Sequence, residues 1–396
     1  MPMGYALLRP WRGFRGSEGP RKTHVLKGEA LKLMRMPQTP PEGGAERPKA
    51  APHLPQLQST MLASKALSKT KISHNPKEKT MTQKLILDVD TGTDDAVALM
   101  LAALSPDLEL VGATTVNGNT LVHNCTENSL RVFDYIGKPI PVFEGMALPL
   151  SRPDIQRGET SQAIHGDLLD LPAARSKKQS QHAVDWLVDT YMQSDGDIIL
   201  VPVGPLTNIA AAIRKEPRIL DKIPEIVIMG GAHEHGNITP MAEFNIWVDP
   251  EAARIVVNCG RPIRMIPLDA THRALVSHTD CNRLREIGTP AAIATAIVVE
   301  KRIAGYDATQ PMNRHGAAPV HDALAVCAIL DPSVVTTHFI HVDVETKGEL
   351  TDGRTVCDFK KRGTGKPNVH YAIDADEPKF VRMLTEILGH AHTSMD

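Results

Sequence analysis

From residue 84 onward the sequence predicts an α/β fold: one doubly wound, mainly parallel, Rossmann-like sheet with helices on both faces. Three observations carry this. Short runs that are apolar at both parities recur along the chain, as strands buried on both faces require. Amphipathic stretches of helical length separate them, the alternation that builds parallel sheets. No repeat and no Pro/Gly/Ser-rich linker interrupts residues 84–396, so a single domain is expected there, near the upper size for one core.

The first expected strand is LILDV at 85–89, and DDAVALMLAAL at 94–104 is the helix after it. A strand at 109–116 and a helix at 120–136 follow. Further strands are expected at 140–143, 198–203, 226–229, 263–266 and 337–345. Helices are expected at 180–193, 206–214, 250–258, 277–286, 290–304, 321–330 and 376–388. In such a sheet, ligands bind outside the carboxyl ends of the strands.

The 396 residues carry a formal net charge of −2, with 42% hydrophobic and 23% charged residues. That is a soluble globular composition, with no basic excess to suggest nucleic acid as a partner. No apolar run approaches the roughly 18 residues of a membrane-spanning helix. Cys125, Cys259, Cys281, Cys327 and Cys357 form neither a zinc spacing nor a disulfide framework, which suits a reducing, cytoplasmic setting. The average conceals a split. Residues 1–83 hold 15 Lys and Arg against 5 Asp and Glu, with Pro37, Pro40, Pro41, Pro48, Pro52 and Pro55 among them. This basic extension has no sustained periodicity and is expected to be disordered. It reads either as an organelle-targeting segment or as sequence upstream of a biological start at Met81.

The sharpest chemical feature is Asp88-Val89-Asp90-Thr91-Gly92-Thr93-Asp94-Asp95, with four carboxylates directly after an apolar strand. Gly92 permits the turn, and Thr93 is the expected helix N-cap. A helix dipole favours two acids in a first turn, but not two more at the end of a buried strand. Four close carboxylates raise one another's pKa unless a cation neutralises them, and oxygen ligands select a hard ion such as Ca²⁺ or Mg²⁺. Asp322 opens a second apolar helix beside His321, offering a remote ligand and a titratable group. Met229-Gly230-Gly231 closes another strand, and the loop after it holds Asn237, Glu243 and Asn245, groups that hydrogen-bond sugar hydroxyls. Asp249-Pro250 reads as a cap and first residue of a helix, and Trp247 as a core residue.

These pieces resemble the inosine–uridine-type nucleoside hydrolases over nearly all of residues 84–390. The matching segments are DVDTGTDD at 88–95, TTVNGN at 114–119, VGPLTNIA at 203–210, MGG at 229–231, AEFNIWVDPEAA at 242–253, PLDATH at 267–272 and PVHDALAV at 319–326. The resemblance implies cleavage of ribonucleosides to ribose and free base. It implies one Ca²⁺ per subunit on Asp90, Asp95, Asp322 and the Val203 carbonyl. It assigns the ribose 2′- and 3′-hydroxyls to Asp94 and Asn245, and the 5′/3′ side of the sugar to Asn237 and Glu243, with Met229 also at the substrate. Asn119 falls near the metal, His321 near the leaving base, and His165 along the same pocket, while Asp88 orients the loop. Apart from the resemblance, the choice of base is expected to depend on loops around 150–175 and 300–316, where Tyr306, Gln310, Asn313 and Arg314 are candidates to meet it. Relatives assemble, so a homodimer or homotetramer is expected. One departure stands out: after Ile164-His165-Gly166 the chain runs Asp167-Leu168-Leu169, without the family's later glycine.

Breaking a ribosyl C–N bond builds positive character on the sugar and negative charge on the base. Water must be activated, and Asp90 is the expected general base. The diol must be held, which supplies orientation. The base must be protonated, for which His321, with a reference pKa of roughly 6.5, is the expected donor. Two rival readings remain at this point. Asp88-Val89-Asp90-Thr91 also fits the start of a haloacid-dehalogenase-type phosphatase with an aspartyl nucleophile. The chain also fits a nucleoside-binding relative without turnover.

Overall fold

The computed structural model describes residues 82–390, so the expectations for the basic extension, residues 82 and 83 apart, lie outside the described residues. The chain runs β1 (Gln83–Val89), α1 (Thr93–Leu104), β2 (Leu108–Thr115), α2 (Val122–Tyr135), β3 (Val142–Glu144), α3 (Glu159–Ile164), α4 (Ala183–Gln193), β4 (Ile198–Pro202), α5 (Thr207–Lys215) and β5 (Ile226–Met229). It continues through α6 (Phe244–Val248), α7 (Pro250–Val257), β6 (Ile263–Ile266), α8 (Leu268–Thr271), β7 (Leu275–Ser277), α9 (His278–Ile287) and α10 (Pro290–Thr309). The last elements are β8 (Ala317–Pro319), α11 (His321–Leu330), β9 (Val335–Ile340), β10 (Val342–Val344), β11 (Thr355–Cys357), β12 (Val369–Ala375) and α12 (Glu377–Gly389).

Eight strands form the main sheet in the order β3-β2-β1-β4-β5-β6-β12-β9. All neighbouring pairs are parallel except β12 with β9. The first six positions follow the doubly wound order 3-2-1-4-5-6, whose direction of winding reverses between β1 and β4. The alternation within β1 shows why both faces need cover: Leu85, Leu87 and Val89 enter a core with α1, α10, α11 and α12, while Ile86 enters the opposite core with α4, α5 and α7. Helices α1 and α11 are buried along nearly their whole length. A helix that is apolar on all sides must be covered on all sides, so these two are wedged inside the molecule.

Four local expectations are corrected. The helix after β1 is capped by Gly92, and Thr93 is its first residue. The single strand expected at 337–345 is two strands in different sheets: β9 pairs with β12, and β10 pairs with β11. The switch falls at His341, whose carbonyl leaves the ladder to accept from Asp358 N–H. Strand β12 had no strong sequence signal, because His370 and Asp374 are exposed on it. The short helices α3, α6 and α8 were also not anticipated, being too brief to show a period.

Candidate active site

Every expected site residue except His165, which follows α3, lies at or just after the carboxyl end of a strand. Asp90 to Asp95 follow β1, Asn119 follows β2, Val203 follows β4, Met229 to Asn245 end and follow β5, and His321 and Asp322 follow β8. Parallel pairing of β1 with β4 sets Asp88 beside Pro202, so the next residues of both strands emerge together at the point where winding reverses. A cavity of about 150 Å³ opens there, and Asp94, Asn119, His165, Val203, Met229, Asn237, Glu243, Asn245, His321 and Asp322 all line it.

The acidic cluster is built by backbone geometry. Asp95 accepts from Asp90 N–H at 3.1 Å and Gly92 N–H at 2.9 Å, closing the turn into α1. Gly92 must lack a side chain, since a Cβ there would lie 2.0 Å from His165 Nδ1. Asp90 accepts from Asn119 N–H at 2.7 Å, and the Asn119 side chain donates to Asp95 at 3.2 Å. A Cβ at Gly118 would sit 2.1 Å from Asp90 Oδ2, so a glycine is needed for this approach. One oxygen from each of Asp94, Asp95 and Asp322 falls within a 4.8 Å group. Asp90 stands against Asp95, and its charge is felt at Asp322. Asp94 and Asp95 lie in the first turn of α1 and Asp322 in that of α11, two buried helix N-termini whose dipoles favour anions.

Burial dominates the titration of this cluster. It pushes Asp95 up to about 7, with Asp94's charge adding, and it raises Asp90 and Asp322 well above the ordinary carboxylate range. Of the four, Asp94 is the one ion-paired among the described residues, with the buried Arg302 at 2.9 Å. Four buried carboxyls, oxygen-only donors and one nearby cation fit a hard divalent ion rather than a nitrogen- or sulfur-seeking one. Asp88 sits behind the cluster. It accepts from Thr114 Oγ1 at 2.5 Å and Asn208 Nδ2 at 2.7 Å, and burial raises it to about 7. Its Oδ2 is buried without a hydrogen-bond partner.

The sugar-side groups are held from behind. Glu243 accepts from the N–H groups of Gly231, Asn245 and Ile246, which makes it the N-cap of α6. Asn237 accepts from Phe244 N–H, and Asn245 donates to the carbonyls of Val203 at 2.7 Å and Met229 at 3.2 Å. Asp249 caps α7 as expected, accepting from Ala252 N–H. Trp247, expected in the core, lines the cavity.

The histidines depart from expectation. His321 meets the Tyr306 hydroxyl with Nε2 and Thr271 Oγ1 with Nδ1, both at 2.7 Å. Burial, with Arg302 and two neighbouring histidines, holds its pKa well below 6.5, so His321 is neutral rather than half-protonated near neutrality. His165 accepts from Thr93 N–H through Nδ1 at 3.3 Å, which leaves the proton on Nε2, and burial holds it neutral too. Of the residues expected to choose the base, Tyr306 and Gln310 line the cavity. Arg314 does not reach it and pairs with Glu377, and Asn313 lines a neighbouring cavity instead. Arg302 was missed altogether. It closes the charged run Glu300-Lys301-Arg302, where nothing in the sequence sets it apart from its solvated neighbours.

A winding reversal with a carboxylate-lined cavity is where an α/β protein of this class binds a small ligand. The inosine–uridine preferring nucleoside hydrolase family matches residues 85–382, and the chain belongs to that family. It is 41% identical over 319 residues to the pyrimidine-specific ribonucleoside hydrolase RihB of Escherichia coli O157:H7, covering 78% of this chain and 99% of that one. Its structure is similar to a purine-preferring ribonucleoside hydrolase from Gardnerella vaginalis (35% identity, TM-score 0.73) and to the plant nucleoside hydrolase PpNRh1 (28% identity, TM-score 0.72), each covering 78% of this chain and 99% of the other. The protein is an N-glycosyl hydrolase that cleaves ribonucleosides to ribose and free base. The phosphatase and the non-catalytic readings are set aside. No helix of the described residues is long and apolar enough to cross a membrane.

Proposed function

We propose that the cavity hydrolyses pyrimidine ribonucleosides with Ca²⁺ held by Asp90, Asp95, Asp322 and the Val203 carbonyl. The observation carrying this is the gathering of three buried carboxyls, only one of them ion-paired, from two helix N-termini at a cavity that Asp94 and Asp322 line and that also holds a hydroxyl–imidazole pair. When bound, the cation supplies the positive charge that ionises these carboxyls and lowers the pKa of water beside it.

Asp94 and Asn245 orient the vicinal hydroxyls, while Glu243 and Asn237 fix the rest of the sugar. With both its oxygens committed to backbone N–H groups, Glu243 is a rigid acceptor. Asp90 takes the proton of the attacking water as the new C1′–O bond forms and the C1′–N bond breaks. The electron pair of the broken bond leaves on the base, which gains a proton through Tyr306 and His321. Burial lifts the Tyr306 hydroxyl to about 12, so it keeps its proton at neutral pH. A neutral imidazole bonded at both nitrogens passes a proton on instead of storing a charge. The pyrimidine preference is supported by the specificity of the 41%-identical relative. A panel of uridine, cytidine, inosine, adenosine and deoxyuridine, assayed for reducing sugar with and without chelator, tests the reading. Uridine turnover lost with chelator and restored by Ca²⁺ is expected. Chelator-resistant turnover sinks the metal assignment, and faster inosine turnover sinks the base assignment. Gel filtration tests the accompanying proposal of a homodimer or homotetramer.

A further inference from the structure

Arg302 is among the largest fully buried side chains of the described residues, a charge in a place where charges are rare unless satisfied. All three nitrogens of its guanidinium have acceptors. Nε donates to the Pro319 carbonyl at 2.5 Å. One terminal nitrogen donates to Thr93 Oγ1 at 3.2 Å and Asp94 Oδ1 at 2.9 Å. The other lies 2.9 Å from Asp94 Oδ2 and donates to the Tyr306 hydroxyl at 3.4 Å. The acceptors come from the start of α1, the end of β8 and α10 itself. These are the places that aim Asp94, the His321–Asp322 pair and Tyr306.

The grip is also selective. Asp94, Asp95 and Asp322 each offer an oxygen to the same small space, yet the guanidinium holds both oxygens of Asp94 and makes no ion pair with the other two. A bidentate Arg–carboxylate pair fixes the plane of the carboxylate as well as its charge. We propose that Arg302 is a positioning residue that keeps Asp94 out of the cation's ligand set and holds it, together with Tyr306, as a group for the substrate. This rests on the site described under Proposed function. Asp90, Asp95 and Asp322 then carry the divalent ion. Lysine would keep the charge but not the fork, because an ammonium has three donors and no plane.

The test uses full-length R302K, R302Q, D94N and the D94N/R302Q pair, with folding read by thermal unfolding. Ca²⁺ affinity of chelator-treated protein is measured by calorimetry, and kcat and KM are measured separately. For R302K we expect Ca²⁺ affinity within about twofold of native and a KM raised at least about tenfold. For R302Q we expect tighter Ca²⁺ binding by about tenfold, because Asp94 is freed as a ligand. For D94N we expect little change in Ca²⁺ affinity. The double variant should be no worse in KM than D94N alone, as coupled residues require. Since it leaves neither charge buried alone, it carries the test if R302Q does not fold. Native KM in R302K, or additive KM effects in the pair, overturns the positioning role. Loss of Ca²⁺ binding in D94N overturns the sorting of ligands. A native protein that binds no divalent ion overturns the cation site itself, a result distinct from an unchanged KM in R302K.

Discussion

Asp90 shows how much of this site is a matter of single atoms. Its carboxyl is held by one backbone N–H from Asn119 and is approached by Gly118 where no Cβ fits. As the proposed base it has an amide substitute of equal size, so Asp90→Asn should lower kcat by at least about 10²-fold, the lower range for a general base. Circular dichroism would confirm the fold, and near-native turnover would end the assignment. Tyr306 and His321 share one hydrogen bond, so their roles separate by substrate. Tyr306→Phe should slow uridine by at least about tenfold and spare a nucleoside with an activated leaving group such as p-nitrophenyl riboside. Equal losses on both would assign Tyr306 to the sugar instead. The acidic motif at 88–95 was visible in sequence because four carboxylates in eight residues after an apolar strand have few structural uses. Arg302 was not visible, because nothing local distinguishes a buried arginine from a solvated one.

At the scale of elements, the site depends on turns that are locked by side chains from distant helices. Asp249 is the example: its carboxylate accepts from Ala252 N–H as the cap of α7, from Leu150 N–H in the loop after β3, and from Thr207 Oγ1 in α5. It is fully buried, so removing it orphans three donors. Asp249→Ala should cost about 3 kcal/mol or more in urea unfolding, combining a lost cap with unsatisfied buried groups. Because Asp249 does not line the cavity, KM at a temperature where the protein stays folded should change little. The capping role was readable from Asp-Pro at a helix start. The two other bonds were not, since they join segments 99 and 42 residues away. The same limit explains β12. With His370 and Asp374 exposed, it has no buried-strand signature of its own and is a strand because β6 and β9 flank it.

The whole molecule carries an electrostatic cost at its centre. Asp88, Asp95 and Glu243 all titrate near pH 7 because burial penalises their charged forms. In the unfolded chain these carboxyls lose their protons near pH 4. Between about pH 4 and 7 the folded state therefore binds more protons, so stability falls as pH rises through that window. Metal-free protein should melt several degrees higher at pH 5 than at pH 8. A divalent cation should raise the melting temperature more at pH 8 than at pH 5, because it replaces the protons. Calorimetric scans of the two forms at both pH values check this, and a cation effect larger at pH 5 would contradict the cluster as the binding site. A chain beginning at Met81 should keep kcat and KM, because every residue that lines the cavity lies beyond it.

The sequence by itself determined the strand–helix alternation and the oxygen-only character of the candidate ligands. These follow from local periodicity and from residue types adjacent in the chain. Only the tertiary structure decided which carboxylate is neutralised by an arginine and which histidine is bonded at both nitrogens. It also decided which loop residues face the cavity. Those outcomes depend on burial and on partners up to about two hundred residues apart. A charge is priced by the medium and the neighbours that surround it, and neither exists until the sheet and its helices have closed around the site.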